Sequence, residues 1–166
     1  MSSLILILLF LGVLLLGWIR FAPTDPDDWH VDPAEVSDPE GRGYRLIGRD
    51  APRFPGHPDD VLNDFYEVAK ATRGVRLLDG RVDEGMITLV ARSKWMGFRD
   101  YVTVKAVGEG PETKLSMVSR SRYAFGSDWG VNRDRLEHWL AELEQVLVQG
   151  RRQTPGTGVA PDWNVQ

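Results

Sequence analysis

The chain has 166 residues, of which 42% are apolar and 27% charged, a composition that fits one globular domain with short extensions. Its net charge of −4 argues against a protein that covers a nucleic-acid backbone, because such domains are usually basic. The absence of cysteine excludes disulfides, thiolate metal sites, thiol nucleophiles and lipid attachment through a cysteine.

The first predicted element is a run of sixteen uncharged residues from Leu4 to Ile19, thirteen of which are Leu, Ile, Phe or Val. As a helix this run extends about 24 Å, against a hydrocarbon core of about 30 Å. It is apolar on every side, so we interpret residues 1–22 as a transmembrane anchor rather than a core helix. A cleaved signal peptide is the other alternative, but no basic residue precedes the run.

Residues 23–57 hold most of the prolines and are interpreted as a linker that becomes the edge of the domain. Within them, Tyr44 to Leu46 fits one short strand.

The domain itself is predicted over residues 58–149. A helix begins at Pro58 and stops before Gly74, and a second helix runs from Asn132 to Gln149. Between them alternation predicts four strands over Val75–Leu78, Met86–Ser93, Phe98–Val107 and Thr113–Arg122. Short connections predict antiparallel neighbours. The fold class is α+β, a two-layer sandwich with about four strands and two helices on one face, followed by a disordered tail over residues 150–166.

Cations collect on the sheet face that points away from the helices. From Met86 to Arg122 there are seven Lys or Arg against three acids, in a chain that is acidic overall. The candidate ligand-binding residues on this face are Arg92, Arg99, Arg120 and Arg122, because guanidinium groups bind phosphate or carboxylate bidentately. The alternative is a solvated face whose long cations protect the sheet from edge pairing.

The junction from the last strand to the last helix is a second candidate site. The residues Ser127, Asp128, Asn132, Arg133 and Arg135 converge near a predicted helix N-terminus, which attracts anions. The alternative is helix capping, with Arg133 paired to Asp128 or Glu137.

Signatures of catalysis are otherwise absent from the sequence. His30, His57 and His138 are scattered without a second ligand at metal spacing, and no dinucleotide or phosphate-binding loop is present. We therefore expect no metal, no cofactor and no nucleic-acid partner, and we name no catalytic residue.

Two stretches, ARSKWMGFRDYVTVKAV and SRSRYAFGSDWGVNRDRLEHWL, resemble the hallmark regions of the bacterial domain-of-unknown-function 1499 family. The stretch GWIRFAPTDPDDWHVDP is similar to the leader of its anchored members. The resemblance brings no activity, substrate or cofactor. It implies a single-pass protein of the bacterial inner membrane with its domain in the periplasm, an orientation that the charges alone do not decide.

Three hypotheses about function follow. The first is a cell-envelope binding module for an anionic ligand, such as a lipid headgroup or a carboxylated polymer. The second is a structural or protein-interaction domain, which would present an exposed apolar patch. The third is an enzyme that uses Asp128, Ser127 or Arg122 in a concave pocket.

Overall fold

The computed structural model describes residues 2–94, 96–123 and 127–153. Within these residues the chain forms three α-helices and one antiparallel sheet, as the α+β prediction requires. The predicted tail begins inside the last helix, which ends at Gln153, and residues 154–166 lie outside the described part of the chain.

The first helix, α1, spans Ser2–Phe21 and is apolar around its whole circumference. Its 20 residues extend about 30 Å, the thickness of a hydrocarbon core. Only 6% of its most apolar 18-residue stretch is buried against the rest of the protein. No other helix in the described ranges is both long and apolar enough to cross a membrane. By length and composition α1 has the properties of a membrane span, although a signal sequence shares them.

The sheet has six strands, and the prediction of four is therefore wrong. They are β1 (Gly43–Leu46), β2 (Arg53–Pro55), β3 (Val75–Arg81), β4 (Met86–Arg92), β5 (Arg99–Glu109) and β6 (Glu112–Ser121). The spatial order is β1-β6-β5-β4-β3, and β2 pairs with β6 beyond β1. Every pairing is antiparallel, as the short connections predict.

β2 could not be recognised in the sequence because it has three residues, ends in Pro55 and packs only Phe54 on the core. β1 and β2 are both short, and they pair through their backbones with the same side of β6. Proline is tolerated there because an edge strand needs only one side of its backbone for the ladder. The strand predicted at Tyr44 to Leu46 is present as β1.

Two helices, α2 (Pro58–Ala71) and α3 (Val131–Gln153), pack on the apolar face of the sheet. Pro58 opens α2, as the sequence indicates, and the His57 side chain caps it. At the centre, the Phe65 ring meets the Trp139 ring edge to face, with centroids 6.0 Å apart. The predicted inward residues of β4, β5 and β6 are buried in this core: Ile87, Leu89, Val102, Val104, Ala106, Leu115 and Met117.

Gly43 tests whether β1 is needed for the sheet. A Cβ at this position would lie 2.2 Å from the backbone oxygen of Ser119, across the pairing with β6. We expect Gly43→Ala to lower the free energy of unfolding by about 1–3 kcal/mol, because the strand must move to make room. Thermal unfolding measures the change. Gly150→Ala is the control, since its Cβ would meet open space, and a wild-type midpoint for both variants would contradict the prediction.

Candidate functional site

The predicted arginines share one side of the sheet, which we call the arginine face. In the register Arg92 lies opposite Arg99, and Arg120 lies opposite Tyr101. The Arg122 amide donates to the Arg99 carbonyl, so Arg122 extends the first of these rows. All four candidates project from the surface opposite α2 and α3.

A segment of the chain lies across this face. Residues 19–36, the crossing segment, connect the end of α1 to the turn before β1. The Trp29 ring stacks on the Tyr101 ring with centroids 3.9 Å apart, and the Arg120 guanidinium lies 4.9 Å from the Trp29 ring centre. The Trp29 carbonyl accepts from Thr103 Oγ1 at 2.9 Å and from Arg120 Nη2 at 3.3 Å. The covered face is therefore a second packing layer.

Polar side chains under the crossing segment form a short row. His30 Nδ1 lies 2.8 Å from Thr88 Oγ1, which in turn lies 3.0 Å from Thr103 Oγ1. Both threonines are buried, so these bonds satisfy hydroxyls that water cannot reach. At the end of the row Lys105 forms an ion pair with Asp32. The hydrogen bond from Lys105 is the main reason that the pKa of Asp32 lies below its usual value, and the Ala34 amide adds to it.

Arg99 joins the sheet to the end of α1. Its side chain is buried, and its guanidinium donates to the Ala22 carbonyl at 2.6 Å, the Arg20 carbonyl at 2.7 Å and Thr24 Oγ1 at 2.8 Å. Tyr123 adds a bond from its hydroxyl to the Ile19 carbonyl at 2.8 Å. The last carbonyls of a helix have no partners within the helix and form the negative end of its dipole. A cation and a phenol from the sheet therefore cap α1.

Arg122 fastens the next residues of the crossing segment. It donates to the Pro23 carbonyl at 2.6 Å, to Thr24 Oγ1 at 2.7 Å and to Tyr101 Oη at 3.2 Å. Arg99, Arg120 and Arg122 thus all donate to backbone carbonyls of the crossing segment. A large part of the basic charge on this face is used to hold the crossing segment.

Arg92 differs from its neighbours. Its one hydrogen bond to the crossing segment is a 3.5 Å contact from Nη1 to the Arg20 carbonyl. Its Nε is buried without a partner, as are those of Arg99 and Arg120. Burial lowers the pKa of Arg92, and the positive charges of Arg99, Arg76 and Arg20 lower it further. Among the ion pairs of the described residues, none involves Arg92. A half-buried guanidinium therefore lies among like charges where the sheet meets α1.

The second predicted group, at the start of α3, lies on the other side of the sheet. The Asp128 carboxylate accepts from the Gly130 amide at 3.1 Å, and from the Asn132 amide and Nδ2 at 3.2 and 2.7 Å. Ser127 Oγ accepts from the Trp129 amide at 3.1 Å. These are the contacts of helix capping, the alternative that the sequence leaves open.

Asn132 is fully buried and belongs to a closed polar network. Its Oδ1 accepts from Ser119 Oγ at 2.5 Å and from Arg135 Nη1 at 2.9 Å. Arg135 continues to Asp100 with a 2.6 Å ion pair. The sequence analysis places Arg135 in this group but missed Asp100, although alternation with Val102 and Val104 places Asp100 on the helix side. Arg133 pairs with neither predicted acid and instead lies 4.9 Å from the Tyr44 ring centre.

A groove of about 380 Å³ runs between α2 and α3. It is lined by small apolar side chains and by the carboxylates of Asp64, Glu67 and Glu142. Burial and the neighbouring Asp60 raise the pKa of Asp64. The hypothesis of a protein-interaction domain stays a prediction, and this groove is where the described chain combines apolar and charged surface between its helices.

The three histidines are apart from each other. His57 caps α2, His30 bonds Thr88, and His138 lies 3.4 Å from Glu142 on the surface of α3. Within the ranges that the structure describes, no group of three His, Asp or Glu side chains is arranged to hold a metal ion.

Replacing Arg99 tests its role as the cap of α1. We expect Arg99→Gln to lower the free energy of unfolding by about 3 kcal/mol, because bonds from a charged donor are lost and buried carbonyls remain unpaired. Urea unfolding of the full chain in micelles measures the loss, and hydrogen exchange should show faster exchange in residues 22–36. Arg53→Gln is the control, since the exposed Arg53–Glu109 pair should contribute less than about 1 kcal/mol. Equal behaviour of the two variants would contradict the assignment.

The Lys105–Asp32 pair predicts a dependence of stability on pH. The pKa of Asp32 is lowered in the folded state from its ordinary value of 3.8. The pair therefore contributes to folding stability above pH 3.8, and this contribution is lost as the pH falls below that value. Lys105→Met should therefore be less stable than wild type at neutral pH, and the difference should shrink below pH 3.8. Lys105→Arg keeps the charge and should keep the acid dependence. A difference that is constant with pH would show that the pair contributes through packing alone.

Comparison with known proteins agrees with the family resemblance. A search of curated proteins finds no match to this chain. The family model described as protein of unknown function (DUF1499) matches residues 29–143, which include the sheet, α2 and most of α3. The chain therefore belongs to the DUF1499 family.

Proposed function

We propose that this protein is a membrane-anchored module that binds the phosphate of an anionic lipid headgroup at Arg92. The observation that carries the proposal is a half-buried guanidinium that lies opposite Arg99 in the sheet and 3.5 Å from the Arg20 carbonyl, at the end of an apolar helix of membrane length. An anion at this position would relieve the repulsion among these cations and would give Arg92 a charged partner.

The anchor determines the level at which Arg92 lies. If α1 spans the hydrocarbon core, its last turn lies near the headgroups, because the polar layer adds only about 5–7 Å on each side of that core. Arg92 Nη1 is 3.5 Å from the carbonyl of Arg20, a residue of that last turn. The guanidinium would then lie at the depth of the lipid phosphates without any further movement of the domain.

The charge distribution supports the same orientation. We call the end of the sheet where β4 ends at Arg92 and β5 begins at Arg99 the anchor edge. The name refers to this end of the strands and not to an edge strand. Basic residues near the anchor edge include Arg20, Arg76, Arg92 and Arg99, whose mutual repulsion lowers the pKa of Arg92. At the opposite edge the cations are paired with acids, as in Arg81 with Asp83 and Lys114 with Glu109. Anionic lipid attracts basic groups near the bilayer by about 1 kcal/mol each, so the anchor edge is the side that would face the membrane.

A headgroup phosphate fits better than a carboxylated polymer. Guanidinium groups bind both anions bidentately, but a polymer would have to reach a site that α1 holds against the bilayer. The family resemblance adds the expectation that the bilayer is a bacterial inner membrane and that the domain lies in the periplasm. We include this location, the inner membrane with the domain in the periplasm, in the proposal.

The test compares lipid selectivity of Arg92→Gln with that of the wild type. The full chain is reconstituted in phosphatidylcholine vesicles, and spin-labelled phosphatidylglycerol or phosphatidylcholine reports the immobilised fraction. We expect the preference for phosphatidylglycerol to fall roughly fivefold in the variant, which corresponds to about 1 kcal/mol for one basic group near the surface. Rising salt should reduce the wild-type preference because it screens the charges.

The matched control is Arg81→Gln, which removes one arginine from the opposite edge and should leave the preference unchanged. Arg92→Lys keeps the charge but not the planar pair of donors, so it should lie between wild type and Arg92→Gln. If Arg92→Gln keeps the wild-type preference, the proposal is wrong. If inorganic phosphate at constant ionic strength removes the preference, the site takes a free anion rather than a lipid.

A further inference from the structure

We infer that Trp129 is a second membrane contact, which inserts its indole into the bilayer interface beside the anchor helix. The inference rests on the membrane anchoring of the proposed function but not on lipid binding at Arg92. It concerns a different part of the molecule, the turn between β6 and α3.

Trp129 is 89% exposed, the highest value among the large apolar residues in the described parts of the chain. Its backbone has a φ of 51°, in the left-handed region that a residue with a Cβ rarely adopts. Glycine or asparagine would adopt this conformation more readily. The chain therefore keeps a large aromatic group in a strained position where it contacts little of its own domain.

The turn that carries Trp129 is firmly held. The Trp129 amide donates to Ser127 Oγ at 3.1 Å, and the flanking Gly130 amide donates to Asp128 Oδ1 at 3.1 Å. The Val131 amide closes the turn on the Asp128 carbonyl at 3.0 Å. These bonds fix the direction of the backbone, so the exposed indole is presented by an ordered turn.

The register places this turn at the anchor edge. Both the Asp128 amide and Ser127 Oγ donate to the Gly41 carbonyl, at 3.1 and 3.2 Å. Gly43 pairs with Arg120, and the Arg42 carbonyl accepts from the Ser121 amide, so Gly41 lies level with Arg122. Arg122 bonds the Pro23 carbonyl just beyond α1. Along the strand direction, Gly41 is thus level with the end of α1 and about one strand spacing of 4.8 Å to the side of β6. The turn that carries Trp129 is bonded to Gly41 and lies at the same level.

The occupant that fits this position is the lipid interface. Tryptophan is enriched at that depth because its ring is apolar and its N–H bonds to headgroups or water. Other exposed apolar side chains lie at the same edge, namely Trp18 and Phe21 at the end of α1 and Met96 in the turn between β4 and β5. An anchor that already holds the domain at the surface gives Trp129 a high effective concentration of lipid.

The absence of cysteine makes the test simple. Trp129→Cys is labelled with the environment-sensitive dye NBD in the full chain, which is reconstituted in neutral phosphatidylcholine vesicles. Glu84→Cys at the opposite edge is labelled in the same way as the control. We expect blue-shifted emission from position 129 and quenching by lipid that carries a spin label near its headgroup, while position 84 stays solvent-like. Solvent-like emission from position 129 would overturn the inference.

A second variant tests the indole itself rather than its position. With the dye at Val131→Cys, Trp129→Asn should reduce quenching by the lipid spin label several-fold and should not lower the thermal midpoint, since asparagine suits the backbone. Unchanged quenching in this variant would overturn the inference. Arg92→Gln should leave the signal at position 129 unchanged, so failure of headgroup binding at Arg92 and failure of the Trp129 contact are separate results.

Discussion

The structure depends on how the last carbonyls of α1 are satisfied. A helix that ends against a folded domain leaves its final carbonyl groups without partners, and Arg99 and Tyr123 supply them from β5 and the chain just after β6. Because Arg99 is buried, this contact is a rigid joint rather than a surface ion pair. This contact determines the path of the crossing segment. The segment then crosses the sheet, where the Pro23 carbonyl bonds Arg122 and the Thr24 hydroxyl bonds Tyr101. Farther along, the Trp29 ring lies against Arg120.

The central fold could be predicted from the sequence because its signals are local. Alternation in β4, β5 and β6 separates Ile87, Leu89 and Val102 from Thr88, Arg99 and Thr103, and the register confirms these faces. The helix start at Pro58 and the stripe around Trp139 also follow from spacing within one element. The end of α3 was not predicted correctly, since the helix continues to Gln153 beyond the predicted Gln149.

The covering of the arginine face could not be predicted in the same way. The crossing segment is rich in proline and has no period, and it is held mainly through its backbone carbonyls, which every sequence possesses. The side chains of the crossing segment that could have indicated the contact are those of Thr24, Trp29, His30 and Asp32. The sequence therefore predicts one cluster of free arginines, because periodicity does not show that backbone carbonyls of the crossing segment bind them. Of the eight candidate residues, the contacts of Asp128 and Asn132 are those of a helix cap, and Arg92 keeps the environment that an anion would fill.

The joint between α1 and the sheet also bears on processing of the chain. A protease that cut after Ala22 would remove two of the three oxygens that Arg99 binds, those of Arg20 and Ala22. The new amino group at Pro23 would carry positive charge into a region that already holds Arg92, Arg99 and Arg122. The released domain would lose the cap contact and gain repulsion at the same place. A form that lacks residues 1–22 would therefore be less stable than the intact chain.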